Sequence, residues 1–212
     1  MARSQQRRFM QRSGRIMFPS SHDITPKNIE ECVAVLRSMV WAGNTVLIVS
    51  KPDPDCIRRL CRELLPFKDS IMFRFTIGSA DDAVLKYWEP GSPAYAQRIA
   101  ALRHAHEQGF ATSVSCEPML DDKVDAVIEA VHPCVTDAIW LGKANHIRQM
   151  VTLNSPGDQA ALRRAKALVA LQNDDAIKKL YNRFKTDPLI KWKDSIKRVI
   201  GIERPTLKGL DI

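Results

Sequence analysis

The sequence predicts an α/β protein built on a parallel sheet, and three observations carry that prediction. Five short runs, Arg15–Phe18, Thr45–Val49, Ile71–Ile77, Phe110–Cys116 and Ala138–Leu141, are apolar or β-branched in the manner of strands. They start about 25–40 residues apart and a helical pattern follows each, which is the spacing of βαβ units. Polar residues gather where the strands stop: Ser20-Ser21-His22-Asp23, Ser50-Lys51-Pro52-Asp53, Arg74 to Gly78, Ser115-Cys116-Glu117-Pro118 and Gly142-Lys143-Ala144-Asn145. In a parallel sheet or barrel these ends share one edge, and ligands bind there.

The first strand, Arg15-Ile16-Met17-Phe18, is stopped by Pro19. In the helix that follows, Thr25 is a suitable cap and Pro26 suits the first helical position. Ile29, Cys32, Val33, Leu36, Met39 and Val40 then recur on one face until Gly43 closes it. Thr45–Val49 is a β-branched strand. Asp53-Pro54 opens the next helix, which turns Ile57, Leu60, Cys61, Leu64 and Leu65 inward and ends at Pro66. In the third strand Ile71, Phe73, Phe75 and Ile77 alternate with Met72, Arg74 and Thr76. One face is therefore apolar and the other carries Arg74 and Thr76, an arrangement suited to a barrel that holds a ligand. A short helix over 83–87 and the turn Glu89-Pro90-Gly91-Ser92-Pro93 lead to a longer helix, with Ile99 and Leu102 inward and Gly109 as its stop. After the fourth strand, Val124, Val127, Ile128 and Val131 mark a helix, and Ala138–Leu141 is the fifth strand. Right-handed crossovers wind such units into an open sheet or a barrel segment.

Past Asn154 the pattern becomes helical: Gln159–Leu171, Asp174–Phe184 and Lys191–Ile200 read as helices with basic outer faces. The expected organisation is a basic arm (1–13), the α/β body (14–153) and a basic helical extension (154–212).

The chain has 212 residues and five cysteines, with 32 Lys+Arg against 24 Asp+Glu, a formal net charge of +8. Much of the excess sits at the ends, in Arg3, Arg7, Arg8, Arg12 and Arg15, and in a tail from Lys178 to Arg198. A solvated charged surface and a nucleic-acid contact both fit that distribution. No run approaches the roughly 20 apolar residues of a membrane span, and no signal-peptide core opens the chain. A soluble, cytoplasmic protein with no membrane partner is expected. The odd, irregularly spaced cysteines do not make a disulfide framework.

Phosphate-loop, nucleophile-elbow and zinc signatures are missing from the sequence. Cys32 and Cys61 fall on apolar helix faces, where core packing outweighs metal ligation. His22-Asp23 suits either acid–base and ligand work or helix capping. Lys51 suits an anion or carboxylate, or solvent. Glu117, at a strand end, needs a partner such as Arg74 to be desolvated, which either structural pairing or ligand binding would satisfy.

Taken together, Ser20-Ser21-His22-Asp23-Ile24-Thr25-Pro26, Val49-Ser50-Lys51, Arg74-Phe75-Thr76-Ile77-Gly78, Glu89-Pro90-Gly91-Ser92-Pro93 with Arg98, and Ser113-Val114-Ser115-Cys116-Glu117-Pro118-Met119-Leu120 resemble the radical S-adenosylmethionine proteins. Within them the likeness is to the DNA-repair-photolyase-like group related to spore photoproduct lyase, over about Gly14 to Val151. The resemblance implies a partial TIM-like (β/α) barrel, S-adenosylmethionine across its C-terminal rim, and a [4Fe–4S] cluster. By position, Ser20, Ser21, His22 and Asp23 resemble the segment that holds the methionine amino group. Ser50 and Lys51 resemble residues near the methionine moiety, Arg74 and Thr76 resemble ribose or carboxylate contacts, and Glu117-Pro118 resembles the segment near the adenine.

The chain's chief departure from the family is that it contains no Cys-x3-Cys-x2-Cys, the family's source of the three thiolates that hold a cluster. The first βα unit is missing from the pattern as well. Two expectations follow. In one, the chain is the S-adenosylmethionine-binding part of an iron–sulfur radical enzyme, not competent alone, whose cluster lies on an upstream or separate chain. In the other, it is a cluster-less ligand- or nucleic-acid-binding module without catalysis.

Overall fold

The structure, a computed structural model, describes residues 9–204. The strands β1 (Arg15–Phe18), β2 (Thr45–Ser50), β3 (Ile71–Thr76), β4 (Ala111–Cys116), β5 (Ile139–Leu141) and β6 (Ile190–Trp192) form one sheet. They pair in parallel and in the order of the chain. Between them run α1 (Ile29–Trp41), α2 (Pro54–Leu64), α3 (Asp82–Trp88), α4 (Tyr95–Glu107), α5 (Val124–Val131), α6 (Ile147–Asn154), α7 (Gln159–Leu171) and α8 (Asp174–Phe184), with α9 (Asp194–Ile200) after β6. Right-handed crossovers that always step the same way along a sheet lay their helices on one side of it.

Burial follows that rule. Val46 and Ile48 of β2, Phe73 and Phe75 of β3, Val114 of β4 and Leu141 of β5 pack with Leu36, Ile57, Leu60, Leu102 and Val127 of the helices into one core. Each of these side chains is at most 1 % exposed, so truncating one to alanine costs about 2–5 kcal/mol. The strand period of two sends Leu47, Val49, Met72, Arg74, Thr76, Ser113, Ser115, Trp140 and Lys191 to the opposite face. That face is largely polar, as the alternation in β3 predicts.

Several helix ends obey the sequence signals. Asp53 caps α2 by accepting the Cys56 amide at 3.0 Å, with Pro54 at the first position. Thr25 does not cap α1: the Asn28 side chain accepts the Thr25 amide at 2.8 Å, a turn spans 26–28, and the helix begins at Ile29. Leu65 is 45 % exposed in a 3-10 turn, so the inward face of α2 ends at Leu64.

The helix expected over Lys191–Ile200 is a strand followed by a shorter helix. Ile190 and Trp192 are buried on either side of Lys191, and β6 extends the sheet beside β5, with the Lys193 amide donating to the Leu141 carbonyl at 2.9 Å. Three residues are too few for a period of two to stand out. The helix α6 has no counterpart in the sequence reading, because Ile147 alone of its residues is buried.

The stretch after residue 154 is bonded to the strand ends. Gln172, 4 % exposed, accepts the Ala144 amide at 2.7 Å and donates to the Met119 carbonyl at 2.8 Å. Ser195 Oγ accepts the Lys143 amide at 3.0 Å. Residues 1–8 of the basic arm, with Arg3, Arg7 and Arg8, and residues 205–212 of the extension lie outside the described residues. Among the described residues no helix is long and apolar enough to cross a membrane.

Candidate functional site

Because all six strands run the same way, their C-terminal ends lie along one edge, and the polar residues of the sequence reading fall there or on the polar face just below. Ser20, Ser21 and His22 follow β1 and are exposed. Asp23 joins the ends of β1 and β2: one carboxylate oxygen accepts the Lys51 amide at 2.8 Å and the other accepts Lys51 Nζ at 2.9 Å. Ser50 Oγ donates to Asp23 at 3.3 Å and accepts the Ile24 amide at 2.9 Å. Burial alone would raise the Asp23 carboxyl, but the hydrogen bonds and charge of Lys51, helped by Ser50, outweigh it and hold the group below the usual carboxylate range. A lasting negative charge therefore sits beside a partly exposed ammonium.

Arg74 and Thr76 lie on the polar face. Arg74 Nε donates to Ser113 Oγ at 3.2 Å, Nη2 is 3.5 Å from Asp137, and the guanidinium lies 5.1 Å from the centre of the Trp140 ring. Asp137 precedes β5, so the guanidinium points away from the strand-end edge. The expected pairing of Arg74 with Glu117 does not form. Arg74 is in register with Ser113, and Glu117, four residues on, stands about 13 Å further along the strand direction at ~3.3 Å per residue. Glu117 pairs instead with Lys193, at 3.4 Å.

Thr76 is fixed through its backbone. Its carbonyl accepts Arg98 Nη1 at 3.1 Å, and the same fully buried guanidinium donates to the Pro93 carbonyl at 2.8 Å and Ser92 Oγ at 2.6 Å and pairs with Glu89 at 2.6 Å. The turn Glu89-Pro90-Gly91-Ser92-Pro93 is thus strapped to the end of β3. Pro118 follows a cis peptide bond, and its carbonyl lies 2.7 Å from where a Cβ on Gly78 would stand. At Gly142 a Cβ would meet Glu117 Cγ at 2.8 Å. Only glycine lets these loops approach so closely.

Sequence reasoning gave no role to Trp140 or Lys193, which join Arg74 and Glu117 on the polar face. Lys193 Nζ lies 4.9 Å from the Trp140 ring centre. In sequence Trp140 reads as one more apolar strand residue and Lys193 as part of a basic helix. The one trace in the sequence is the alternation through Ile190, Lys191 and Trp192, which is too short to stand out.

The cysteines do not suit an iron–sulfur cluster. Cys32, Cys56, Cys61 and Cys116 are buried in the core on the helix-covered side, and burial first of all pushes the last three up to about 12. Among the described residues no three His, Cys, Asp or Glu side chains converge to hold a metal ion. Comparisons with protein-family models, with curated proteins and with solved structures found no match to the chain.

Proposed function

We propose that this chain is the S-adenosylmethionine-binding portion of a radical S-adenosylmethionine-type barrel, with the strand-end edge as its rim. One observation carries the reading: six parallel strands in chain order bring the polar ends of β1 to β5 to a single edge. A TIM-like barrel segment lacking its first βα unit has this singly wound order, whereas a doubly wound sheet reverses its strand order part-way.

The ligand's charges match the groups present. Asp23, held ionised, suits the methionine ammonium, next to the exposed Ser20, Ser21 and His22. Lys51 suits the carboxylate, with Ser50 fixing the Asp23–Lys51 pair from beneath. By the resemblance, Thr76 is assigned to the ribose hydroxyls and Glu117-Pro118 to the adenine. Arg74, turned toward Asp137, serves the face below the rim rather than the rim itself. When bound, the ligand supplies a sulfonium centre for radical chemistry; the electron source belongs to another segment or chain, because the described cysteines offer no cluster ligands.

That donor set also favours a second reading, in which the same rim binds a ligand other than S-adenosylmethionine, without catalysis. Calorimetric titration of the purified chain with S-adenosylmethionine separates the two. Binding that weakens in Lys51→Ala supports the first, and no binding leaves only the second.

A further inference from the structure

We propose that the edge of the sheet opposite the rim carries a second binding site, which takes a small zwitterion of the α-amino acid type. Strand starts meet at this edge as strand ends meet at the rim. A cavity of about 430 Å³, open to solvent, lies there between Lys68 and Asp69 ahead of β3, His106 in the last turn of α4, Phe110 and Ala111 where β4 begins, and Thr136 ahead of β5. Small-molecule sites run from roughly 300 to 1,000 Å³, so a compact ligand with a side chain fits that space. Gly109 keeps it open around the ammonium: a Cβ there would stand 3.3 Å from Lys68 Nζ, and its φ of +78° is one that residues with side chains rarely adopt.

The charged groups of the cavity are not spent on the protein itself. Among the described residues neither the Lys68 ammonium nor the Asp69 carboxylate has an ion-pair or hydrogen-bond partner, and the two, adjacent in the chain, do not pair with each other. His106 stands the same way: its Nδ1 is buried without a partner, and no group of the described residues bonds to the ring. The Thr136 hydroxyl, by contrast, is engaged, accepting the Thr112 amide at 2.9 Å. An unpaired ammonium and an unpaired carboxylate on one cavity are the complement of a zwitterion, with Lys68 meeting the ligand's carboxylate and Asp69 its ammonium. Such charge-assisted contacts are roughly twice as strong as neutral ones. A simple anion or a simple cation would be drawn by one of the two groups and repelled by the other, which selects the ligand that carries both charges. The site stands on this geometry and does not require S-adenosylmethionine at the rim.

The test uses His106 as the reporter, because its ring lines the cavity. The five histidine ring resonances of the full chain are followed by NMR at fixed pH, that of His106 is assigned with His106→Gln, and alanine is added. Alanine is itself a zwitterion, so it leaves the ionic strength unchanged. It should move the His106 resonance and saturate, with His22, His132 and His146 in place. Propionate, which lacks the ammonium, and ethylamine, which lacks the carboxylate, should each bind about tenfold more weakly. Lys68→Ala and Asp69→Asn, both at exposed residues, should weaken the alanine response by a similar factor, whereas Lys51→Ala at the rim should leave it unchanged. No movement with alanine overturns the proposal, as does an equal response in the Lys68→Ala chain. Propionate acting as well as alanine overturns it too, since the site would then take an anion alone. S-adenosylmethionine carries the same two groups, and the two lysine variants separate the edges. Its binding weakened by Lys51→Ala while alanine gives no response defeats this site and leaves the rim assignment standing; an alanine response lost in Lys68→Ala, with S-adenosylmethionine binding indifferent to Lys51→Ala, does the opposite.

Discussion

Replacing Arg98 by methionine should be among the most damaging single changes in this protein. The guanidinium is fully buried, and it neutralises Glu89, whose side chain is only 10 % exposed, while donating to the carbonyls of Thr76 and Pro93. Methionine keeps most of the aliphatic volume, so little of the effect is a cavity. What remains is a carboxylate stranded without its counter-charge and two carbonyls without donors. Removing one partner of a buried pair costs roughly 3–5 kcal/mol. For a chain of this length each kcal/mol moves the melting temperature about 2–4 °C, so a fall of roughly 6–20 °C is expected by calorimetry. Urea titration should show the same loss with an unchanged slope. Glu89→Leu combined with Arg98→Met should recover part of it, because the stranded charge is then gone, with a coupling of about 0.5–3 kcal/mol. A loss below about 1 kcal/mol for Arg98→Met, or strict additivity in the double variant, would refute the strap between the turn and β3.

Two further outcomes are expected. The Asp23 carboxyl is held below its ordinary value of 3.8, so its contribution is fully present above that pH and is lost as pH falls through the folded value. The stability gap between wild type and Asp23→Asn, measured by urea titration, should therefore narrow on acidification below about pH 4; a gap that stays constant would dissolve the link to Lys51. Thiol titration of the native chain near neutral pH should find Cys134 reactive and the other four silent, since Cys32 is buried with its thiol raised and Cys56, Cys61 and Cys116 are pushed up to about 12. Denaturation should expose all five, and fast reaction of several in the native chain would count against the packing of the core.

Much of the fold was legible because its signals are local. The alternation in β3 separated Phe73 and Phe75 from Arg74 and Thr76, and the helix stripes in α1 and α2 matched the buried faces up to Leu64. What the residues did not reveal was set by tertiary contacts. A strand as short as β6 carries too little periodicity, and the run of lysines around it read as a basic helix face; only pairing with β5 makes it a strand. The candidate site divides in the same way. Asp23 and Lys51 stand at consecutive strand ends, so parallel pairing alone brings them together. The partner of Glu117 depended on register: Arg74 lies too low on the sheet, and Lys193 directly follows a strand that sequence did not announce.

The rim assignment is tested most directly by calorimetric titration of the full chain with S-adenosylmethionine, wild type against Lys51→Ala. Lys51 is 28 % exposed and outside the core, so the variant should fold, which its melting curve checks. One ligand per chain is expected for the wild type, with affinity at least about tenfold weaker in the variant, as the loss of one charge-assisted contact gives. No binding by the wild type, or equal binding by both chains, would contradict it.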